Sequence, residues 1–454
     1  MLNKVFHLTE NHTTVKTECI AGVTTFMTMA YILAVNPNIL SAAGMDPTAV
    51  LLATCLASFL GTMCMGMMAN LPFALSAGMG LNAFFAYTVV GNMGYLWQVA
   101  LLAVLVEGVI FLVLSLTNVR EALFNVIPIS LKQAVSVGIG VYIAFIGLQN
   151  AGVVVNNDST LVSLVSFTDH FRTSGICALL AIIGIFLTAV LYLKHVKGSI
   201  LIGILGTWIL GILCQLTGLY QVDAEAGYNS LIPTFAMTDF SKLGETFGQC
   251  FRVDFDGISI VNFIVVIFSF LFVDIFDTLG TLVGVCTKAD MLDKDGKLAK
   301  IKPALLADSI ATSAGAILGT STTTTFVESS AGVAVGGRTG LTAVVTAVLF
   351  LVSMLFAPIF IAIPSFATAP ALVIVGFLMF TTITEIKFSE KDYVKAIPAY
   401  LCILAMPLFY SISEGISIGV ISYTLLHLIC GKGKEVKPLM YILTVLFILK
   451  YIFL

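Results

Sequence analysis

The chain has 454 residues, of which 59% are hydrophobic and 10% are charged, and its mean hydropathy is +1.05. These values lie far outside the range of soluble domains and predict an all-α polytopic membrane protein whose surroundings are the lipid bilayer. The formal net charge is −3. No nucleic-acid partner is expected.

Fourteen apolar windows follow one another along the chain, each close to the roughly 20 residues that a helix needs to cross a bilayer. The first seven cover residues 18–40, 47–68, 71–93, 96–116, 129–150, 174–193 and 198–218. The last seven cover residues 258–285, 303–319, 321–337, 340–361, 366–383, 394–411 and 413–430. An acidic interval, residues 219–257, separates the two sets. The apolar piece that begins at Pro438 is either a fifteenth span or an interfacial helix.

Lysine and arginine are enriched in short cytoplasmic loops, which gives a test of orientation. If the N-terminus is cytoplasmic, the predicted outer loops hold only Arg172, Lys242 and Arg252, and the other loop cations lie inside. We therefore expect a multi-pass protein of the cell's inner (plasma) membrane with a cytoplasmic N-terminus.

Motifs of several other protein classes are missing from the sequence. The nine cysteines form no C-x-x-C pair and the five histidines form no H-E-x-x-H motif, so no metal site or cofactor is expected. No G-x-x-x-x-G-K-[ST] loop occurs, which argues against ATP-driven transport by this chain. Because no set of nucleophile, base and metal emerges, we expect a transporter and not an enzyme, with a channel or receptor as the rival class.

Two predicted spans lack the composition of ordinary helices. The third, LPFALSAGMGLNAFFAYTVVG, contains Pro72, Gly78, Gly80 and Asn82, and the tenth, GTSTTTTFVESSAGVAVGGRTG, contains a threonine run and Glu328. Interrupted spans at matching positions of two halves point to a transporter binding site. Since these two are an odd number of spans apart, seven, we predict two inverted repeats. The alternative is that the glycines only let helices approach closely.

The eighth span contains the stretch FLFVDIFDTLGTLVGV and places Asp274 and Asp277 on one helical face, which Thr278 and Thr281 extend. A charged group in a bilayer costs about 3 kcal/mol or more, so both acids are candidates for function. The alternative is that one of them caps a broken helix or forms a structural pair. For three other membrane acids we favour a structural or conformational role: Glu107, Asp308 and Glu414.

These features together predict a midplane pocket lined by threonine and glycine backbone, with Asp277, Glu328 and Asn82 among its side chains. Ionised carboxylates repel an anionic solute, whereas they accept a cation or a neutral heterocycle rich in N–H groups. Because burial favours the neutral form of a carboxylate, Asp277, Glu328 and Asp274 are also candidates for carrying a proton.

Seven motifs spread over the whole chain carry a resemblance to a known family: GVTTFMTMAYILAVNP, GMGLNAFFAY, FLFVDIFDTLGTLVGV, ALLADS, LGTSTTTTFVESSAGV, APALVIVG and KGKEVKPLMY. They resemble the nucleobase cation symporter-2 family, also called nucleobase/ascorbate transporters, and within it the AzgA-like purine permeases. The sequence is most similar to the bacterial guanine/hypoxanthine permeases of that subfamily.

The resemblance implies fourteen spans in a seven-plus-seven inverted repeat, divided into a core domain and a gate domain. The core would combine residues 1–116 and 258–361, which hold spans 1–4 and 8–11. The gate would combine residues 117–257, which include the acidic outer loop, with residues 362–454, which hold spans 12–14 and the C-terminal tail. Related branches of the family also suggest a homodimer.

The resemblance assigns two acids to the substrate. The family's span-eight acid matches Asp277 in DTLGT, and its span-ten acid matches Glu328, with the backbone of Val327 beside the base. Asp274 then becomes an indirect or proton-coupling candidate. Thr281 stands where the uracil branch has a histidine, so the proton path of that branch does not transfer.

The third span supplies the other side of the implied site. Asn82 matches an asparagine of AzgA-like proteins, and the backbone from Ala77 through Gly78 to Gly80 would face the substrate. Secondary candidates are Thr281, Thr278, Phe326 and Phe84.

What the resemblance implies about mechanism is proton-coupled import of a purine base. Glu328 would accept ring N–H groups, Asp277 would bind the opposite edge or couple the proton, and Asn82 would tune the pocket. Guanine and hypoxanthine both offer an N1–H, and guanine adds an exocyclic amine, which gives a donor pair suited to a carboxylate. Adenine as the substrate and sodium as the coupling ion are the alternatives.

Overall fold

The computed structural model describes residues 2–116, 127–223, 227–233, 237–253, 259–288, 291, 300–389 and 393–453. Ten helical stretches among these residues are long and apolar enough to cross a membrane. Helices satisfy all their backbone hydrogen bonds internally, which is why long apolar runs adopt this conformation in lipid.

The elements of the first half follow in chain order. They are α1 (Leu2–Phe6), α2 (Val15–Met29), α3 (Ile32–Ser41), α4 (Pro47–Cys64), β1 (Leu75–Ala77), α5 (Met79–Ala83), α6 (Trp97–Leu116), α7 (Ile129–Asn150), β2 (Val154–Asn157), β3 (Leu161–Leu164), α8 (Ile176–Leu193) and α9 (Ser199–Leu216). Strands β2 and β3 form a hairpin between the fifth and sixth spans.

The elements of the second half complete the described chain. They are α10 (Ile260–Lys288), α11 (Ile301–Leu318), β4 (Thr323–Thr325), α12 (Ser329–Ala334), α13 (Gly340–Ser353), α14 (Ala357–Ile361), α15 (Ser365–Phe380), α16 (Tyr393–Leu408), α17 (Ile412–Ile429) and α18 (Pro438–Phe453). Short π-helical and 3₁₀ turns extend several of the helices.

Each of the fourteen predicted spans coincides with one or two helices, and in two of the spans a strand precedes the helix. The eighth and thirteenth spans are α10 and α16. The third and tenth spans are interrupted, as the sequence predicts: β1 precedes the short helix α5, and β4 precedes the short helix α12. The same strand–helix order therefore recurs seven spans later.

The two interrupted spans meet through their strands. β1 and β4 pair antiparallel, with Leu75 opposite Thr325 and Ala77 opposite Thr323, and all six strand residues are buried. The pairing continues beyond the strands, because the Gly78 N–H donates to the Thr322 carbonyl at 3.0 Å. Unwound backbone at membrane depth needs hydrogen-bond partners, and each broken span provides them for the backbone of the other.

The first span is broken as well, a feature that the sequence analysis did not predict. Helix α2 ends at Met29 and α3 begins at Ile32, so Tyr31 lies in the turn between them. Pro37 follows inside α3, where it removes one backbone donor. The break places the Tyr31 side chain in the protein interior, where it is fully buried.

A close helix crossing holds α7 against α15, the predicted fifth and twelfth spans. At this crossing Gly140 faces Gly376, and a Cβ atom added to Gly140 would lie 2.5 Å from the Gly376 carbonyl oxygen. Small residues at an interface let helix backbones approach, which is a common way to associate helices in lipid. The two repeats thus supply one glycine each to the same crossing.

Glu18 is completely buried beside the N-terminus of α13. Its Oε1 accepts the N–H of Arg338 at 2.9 Å, and its Oε2 accepts the N–H of Thr339 at 3.2 Å. The same oxygen accepts the Thr342 hydroxyl at 2.6 Å. A carboxylate at this place satisfies donors that the first turn of a helix leaves without partners.

The C-terminal helix α18 packs antiparallel along α17. The Thr444 hydroxyl donates to the Thr424 hydroxyl at 2.7 Å near one end, and the Tyr451 hydroxyl donates to Glu414 near the other. Between them the Phe447 ring lies 5.6 Å from the Phe272 ring of α10. Helix α18 has 16 residues and is one of the shorter apolar helices, so whether this segment is a further span or an interfacial helix stays a prediction.

Candidate substrate-binding site

A cavity of about 1,090 Å³ lies against the paired strands and extends from them to one end of the helices. Its inner end is lined by residues of the interrupted spans and of α10: Gly78, Gly80, Asp277, Thr324 and Glu328. Its other end is lined by Lys132, Gln133, Tyr192, Ser199 and Glu385. This second end is the one that the sequence predicts to be cytoplasmic, so the cavity joins the strands to that side.

Glu328 lies at the inner end of the cavity because it follows β4 and begins α12. Its Oε1 accepts the hydroxyl of Tyr31 at 2.6 Å. Its backbone carbonyl accepts the Thr28 hydroxyl at 3.4 Å. The neighbouring Phe326 and Val327 also line the cavity.

Asp277 reaches the same end of the cavity from α10. Its Oδ2 accepts the hydroxyl of Thr324 in β4 at 3.3 Å. Thr281, one turn further along α10, lines the cavity too. The structure therefore brings together the two acids that the sequence singled out, and each is held by a hydroxyl group from another element.

The end of β1 approaches these groups closely. A Cβ atom at Gly78 would lie 3.3 Å from Asp277 Oδ2 and 3.2 Å from the Thr324 hydroxyl oxygen. A side chain at this position would therefore crowd the carboxylate. Gly78 and Gly80 both line the cavity, as the sequence predicts, while Ala77 is buried in its pairing with Thr323.

Asn82 lies behind the strands, and it does not line the cavity in the described part of the chain. It is fully buried, and its Oδ1 accepts the hydroxyl of Ser321. Ser321 immediately precedes the segment that pairs with β1. An influence of Asn82 on the pocket would act through this contact, and its predicted tuning role stays a prediction.

Asp274 lies one helical turn from Asp277 in a different environment. It is fully buried, and Thr278 donates to its Oδ1 at 2.8 Å. The Thr278 hydroxyl is also 3.2 Å from Asp308 Oδ1. Asp274 also lies next to Glu107, whose Oε2 accepts the Thr322 hydroxyl at 3.0 Å. Three membrane acids thus form one cluster beside β4.

The aromatic candidates also lie in two different environments, the cavity and the protein core. Phe326 lines the cavity, where its ring can meet a planar solute. Phe84 is buried in the protein core, and its ring lies edge-on to Phe270 at 4.9 Å. Phe85 is likewise fully buried.

Tyr31 is the member of this site that the sequence analysis missed. It lines the cavity at the break in the first span and donates to Glu328. A buried tyrosine usually finds a partner for its hydroxyl, so a tyrosine inside the apolar motif GVTTFMTMAYILAVNP was the available signal.

Comparison with known proteins places the sequence among permeases. Residues 16–418 match the family model Xan_ur_permease, described as "Permease family". The guanine/hypoxanthine permease PbuG of Bacillus subtilis is 44% identical over an alignment of 458 positions, which covers 99% of each chain. The adenine permease AdeP of Escherichia coli is 41% identical over an alignment of 455 positions, which covers 100% of this chain and 96% of the relative.

Solved structures share the fold at low identity. The transmembrane domain of the cyanobacterial bicarbonate transporter BicA aligns with a TM-score of 0.63 and 15% identity, over 89% of this chain and 97% of that one. The anion transporter SLC26A9 aligns with a TM-score of 0.58 and 12% identity, over 92% of this chain and 66% of that one. These neighbours share the seven-plus-seven inverted repeat, so the predicted fold class is confirmed.

Proposed function

The chain belongs to the permease family that it matches over residues 16–418, and on this premise we propose that it imports guanine and hypoxanthine by proton symport with alternating access. The expectation of a transporter and not an enzyme is confirmed, since the relatives are permeases. The observation that carries the proposal is the joint position of Asp277 and Glu328 at the inner end of one cavity.

Two carboxylates at the strands suit the edge of a purine base. A carboxylate accepts two parallel N–H bonds, and guanine presents its N1–H beside an exocyclic amine. We assign this edge to Glu328, whose Oε1 also accepts the Tyr31 hydroxyl. Asp277 then meets the opposite edge of the ring, and Phe326 offers an aromatic face beside it.

Adenine is the second candidate substrate. The relatives include adenine permeases of Escherichia coli that are 40% and 41% identical to this chain over 99% and 100% of its length. Adenine lacks the N1–H and has an acceptor there, so a carboxyl group that met N1 beside the exocyclic amine would need to be protonated to donate a hydrogen bond. The same cavity could supply one from Asp277 or Glu328.

The acid cluster beside β4 supports proton coupling. Two buried carboxyl groups that lie next to each other favour a state in which one of them holds a proton, because two like charges repel, and Asp274 and Glu107 are such a pair. Thr322 joins Glu107 to the strand whose Thr324 holds Asp277. Protonation of the cluster and the position of the strand at the substrate are therefore linked through two hydroxyl groups of one short segment.

The walls of the cavity support alternating access. One wall comes from the proposed core, which includes Gly78, Asp277 and Glu328, and the facing wall comes from the proposed gate, which includes Ile139 and Val375. Rocking of one against the other would close the described opening and open a route on the opposite side. The structure would then represent the inward-open arrangement.

Uptake by a cell that lacks its own purine permeases tests the proposal. Cells expressing the chain receive radiolabelled guanine, hypoxanthine, adenine, xanthine or uracil, with Asp277→Asn and Glu328→Gln beside the unmodified protein. We expect guanine and hypoxanthine to accumulate and both variants to lose most of this uptake. Full uptake by both variants would refute the site, and Glu10→Gln, which changes an exposed carboxylate, serves as the control.

The coupling ion needs separate conditions in the same cells. A protonophore should abolish accumulation, and replacement of sodium by choline should leave it unchanged. The reverse pattern would assign coupling to sodium.

A further inference from the structure

The proposed core and the proposed gate touch at the inner end of the large cavity. Gly80 lines this end, and a Cβ atom added to it would lie 3.1 Å from Ile139 Cγ2 and 3.2 Å from Ile412 Cδ1. Gly80 belongs to the proposed core, whereas Ile139 and Ile412 belong to the proposed gate. The cavity therefore ends where residues of the two domains meet.

A second set of contacts between the two domains forms a group that we call the outer cluster. Its members are Tyr87 and Thr88 of the third span, Tyr142, Phe145 and Asn150 of α7, and Tyr410 in the turn between α16 and α17. None of them lines the cavity within the described part of the chain. Asn150 is the last residue of α7, and Tyr410 lies just before α17. The orientation that the sequence predicts places both of these ends at the outer side of the membrane.

Two hydrogen bonds of the outer cluster cross from the proposed core to the proposed gate. The side-chain amide of Asn150 donates to the Tyr87 hydroxyl at 2.9 Å. The Thr88 hydroxyl donates to the Tyr410 carbonyl at 3.1 Å. Because these bonds join the two domains, both must break before core and gate can separate on this side.

Tyr410 is surrounded by aromatic rings of both domains. The ring of Tyr87 in the core lies 5.7 Å from it, and the rings of Tyr142 and Phe145 in the gate lie 5.5 and 6.2 Å from it. The three interplanar angles are 82°, 80° and 70°, which is the favourable edge-to-face arrangement of aromatic pairs. The Tyr410 ring therefore contacts core and gate at the same time.

The backbone of Tyr410 has a left-handed conformation. Its φ is 53°, a value that residues other than glycine seldom adopt and that persists only where the surroundings hold it. Its carbonyl oxygen accepts the hydroxyls of Thr88 at 3.1 Å and of Tyr142 at 3.4 Å. Since Thr88 belongs to the core, a contact between the two domains helps to hold this turn in its strained form.

We propose that the outer cluster is the outer gate of the transporter and that Tyr410 is its latch. The crossing hydrogen bonds and ring contacts hold the outer side closed while the cavity is open to the cytoplasmic side. They separate when the outer side opens, and the turn at Tyr410 then loses the core contact that holds it. The proposal rests on the alternating access proposed above, but it does not depend on which solute is carried.

Labelling of a cysteine placed in the cavity tests the latch without any substrate. Ser330 lines the cavity, so Ser330→Cys supplies a thiol there. A membrane-impermeant thiol reagent reaches it from outside in intact cells and from the cytoplasmic side in inside-out vesicles. The chain without Ser330→Cys gives the labelling of the native cysteines, which is subtracted. Each value is divided by the amount of protein in the membrane.

Three changes to the outer cluster are made in the Ser330→Cys chain. Tyr87→Phe/Thr88→Val removes both crossing hydrogen bonds and nearly keeps the size of the side chains. One hydrogen bond shifts a two-state balance by about fivefold, so we expect labelling from outside to rise about tenfold or more, without a rise from the cytoplasmic side. Asn150→Leu removes one of these bonds from the gate, and Tyr410→Ala removes the ring that contacts both domains. Both should act in the same direction.

Thr217→Val/Tyr220→Phe is the matched control for the double variant. The Thr217 hydroxyl donates to the Leu213 carbonyl at 2.9 Å, and the Tyr220 hydroxyl donates to the Asn229 carbonyl at 2.7 Å. All four residues belong to the proposed gate. The same two kinds of substitution are therefore made without loss of a bond between core and gate, and labelling should stay unchanged.

The outcomes separate a latch from ordinary packing. Unchanged labelling from outside in all three outer-cluster variants would overturn the proposal. An equal rise in the control, or an equal rise from both sides of the membrane, would overturn it too, because either result indicates general loosening. Guanine uptake by the unmodified chain tests the proposed function separately. Shifted labelling without uptake supports the latch and refutes the solute, whereas uptake without shifted labelling refutes only the latch.

Discussion

The hydroxyl of Tyr31 donates a 2.6 Å hydrogen bond to the carboxylate of Glu328, which joins the break in the first span to the residue that follows β4. Both residues line the large cavity. A carboxylate fixed at one oxygen presents the other in a defined direction. The orientation of Glu328, the residue proposed to bind the purine, therefore depends on a residue in the other half of the chain.

Replacement of Tyr31 by phenylalanine should weaken substrate binding. The change removes one hydrogen bond to a charged group, worth about 1.5–3 kcal/mol, and frees the Glu328 side chain to rotate. We expect the KM for guanine uptake to rise about tenfold or more, with the amount of protein in the membrane unchanged. Initial uptake rates over a range of guanine concentrations measure it.

Tyr220→Phe is the matched control for that experiment. The Tyr220 hydroxyl donates to the Asn229 carbonyl at 2.7 Å, far along the chain from the cavity. An unchanged KM in Tyr31→Phe, or an equal rise in both variants, would contradict the role of Tyr31.

Asp274→Asn should separate binding from proton coupling. Asparagine cannot exchange a proton, so residue 274 and Glu107 could no longer share a proton between two carboxyl groups. We expect exchange of internal for external guanine to continue while accumulation against a gradient is lost. Counterflow and net uptake are measured in the same cells.

The conservative change Asp158→Asn in the exposed β2–β3 hairpin serves as the control for Asp274→Asn. Asp274→Asn with full proton-driven accumulation would rule out Asp274 as the coupling group. Loss of both exchange and accumulation would indicate a structural role.

Glu18→Gln should destabilise the protein without changing the substrate preference. The carboxylate of Glu18 accepts hydrogen bonds from the backbone N–H groups of Arg338, Thr339 and Thr342. In glutamine one of the two oxygens becomes an amide nitrogen, which cannot accept them. A donor left unsatisfied in the interior costs about 1–3 kcal/mol. We expect the unfolding midpoint of the purified protein to fall by several degrees, and Glu10→Gln to leave it unchanged.

Gly140→Ala should weaken the crossing of α7 with α15. The added methyl group would lie 2.5 Å from the Gly376 carbonyl oxygen and 2.8 Å from Met379 Cβ, so the helices must separate. Overpacking of this kind costs about 1–3 kcal/mol. Thermal unfolding in detergent should show the loss. Gly244→Ala, with no heavy atom within 4 Å of the added group, should leave the midpoint unchanged.

Much of the fold could be predicted because hydropathy reports directly on the bilayer. The apolar windows located the helices, and Gly78, Gly80 and the threonines before Glu328 marked the two interruptions. The antiparallel register of Leu75 with Thr325 could not be predicted, since three-residue strands carry no periodic signal. It depends on contacts between halves that are far apart in the sequence.

The sequence predicted the charged residues of the candidate site better than its neutral residues. Asp277 and Glu328 stood out because carboxylates are costly in a membrane. Tyr31 gave a weaker signal, because a tyrosine among apolar residues is also typical of a core aromatic. The contact of Asn82 with Ser321 behind the strands could not be predicted either. The direction of the Asn82 side chain depends on how the two broken spans pair.

The pairing of β1 with β4 has a consequence for the synthesis of the protein. Leu75 emerges from the ribosome about 250 residues before Thr325, the residue opposite it. At about 5–20 residues per second, translation takes roughly 12–50 s to supply that partner. During this interval the unwound backbone of the third span needs water, an insertion factor or a temporary neighbour to accept its hydrogen bonds. The first half is therefore made early but completes its folding only after residue 325 has been added.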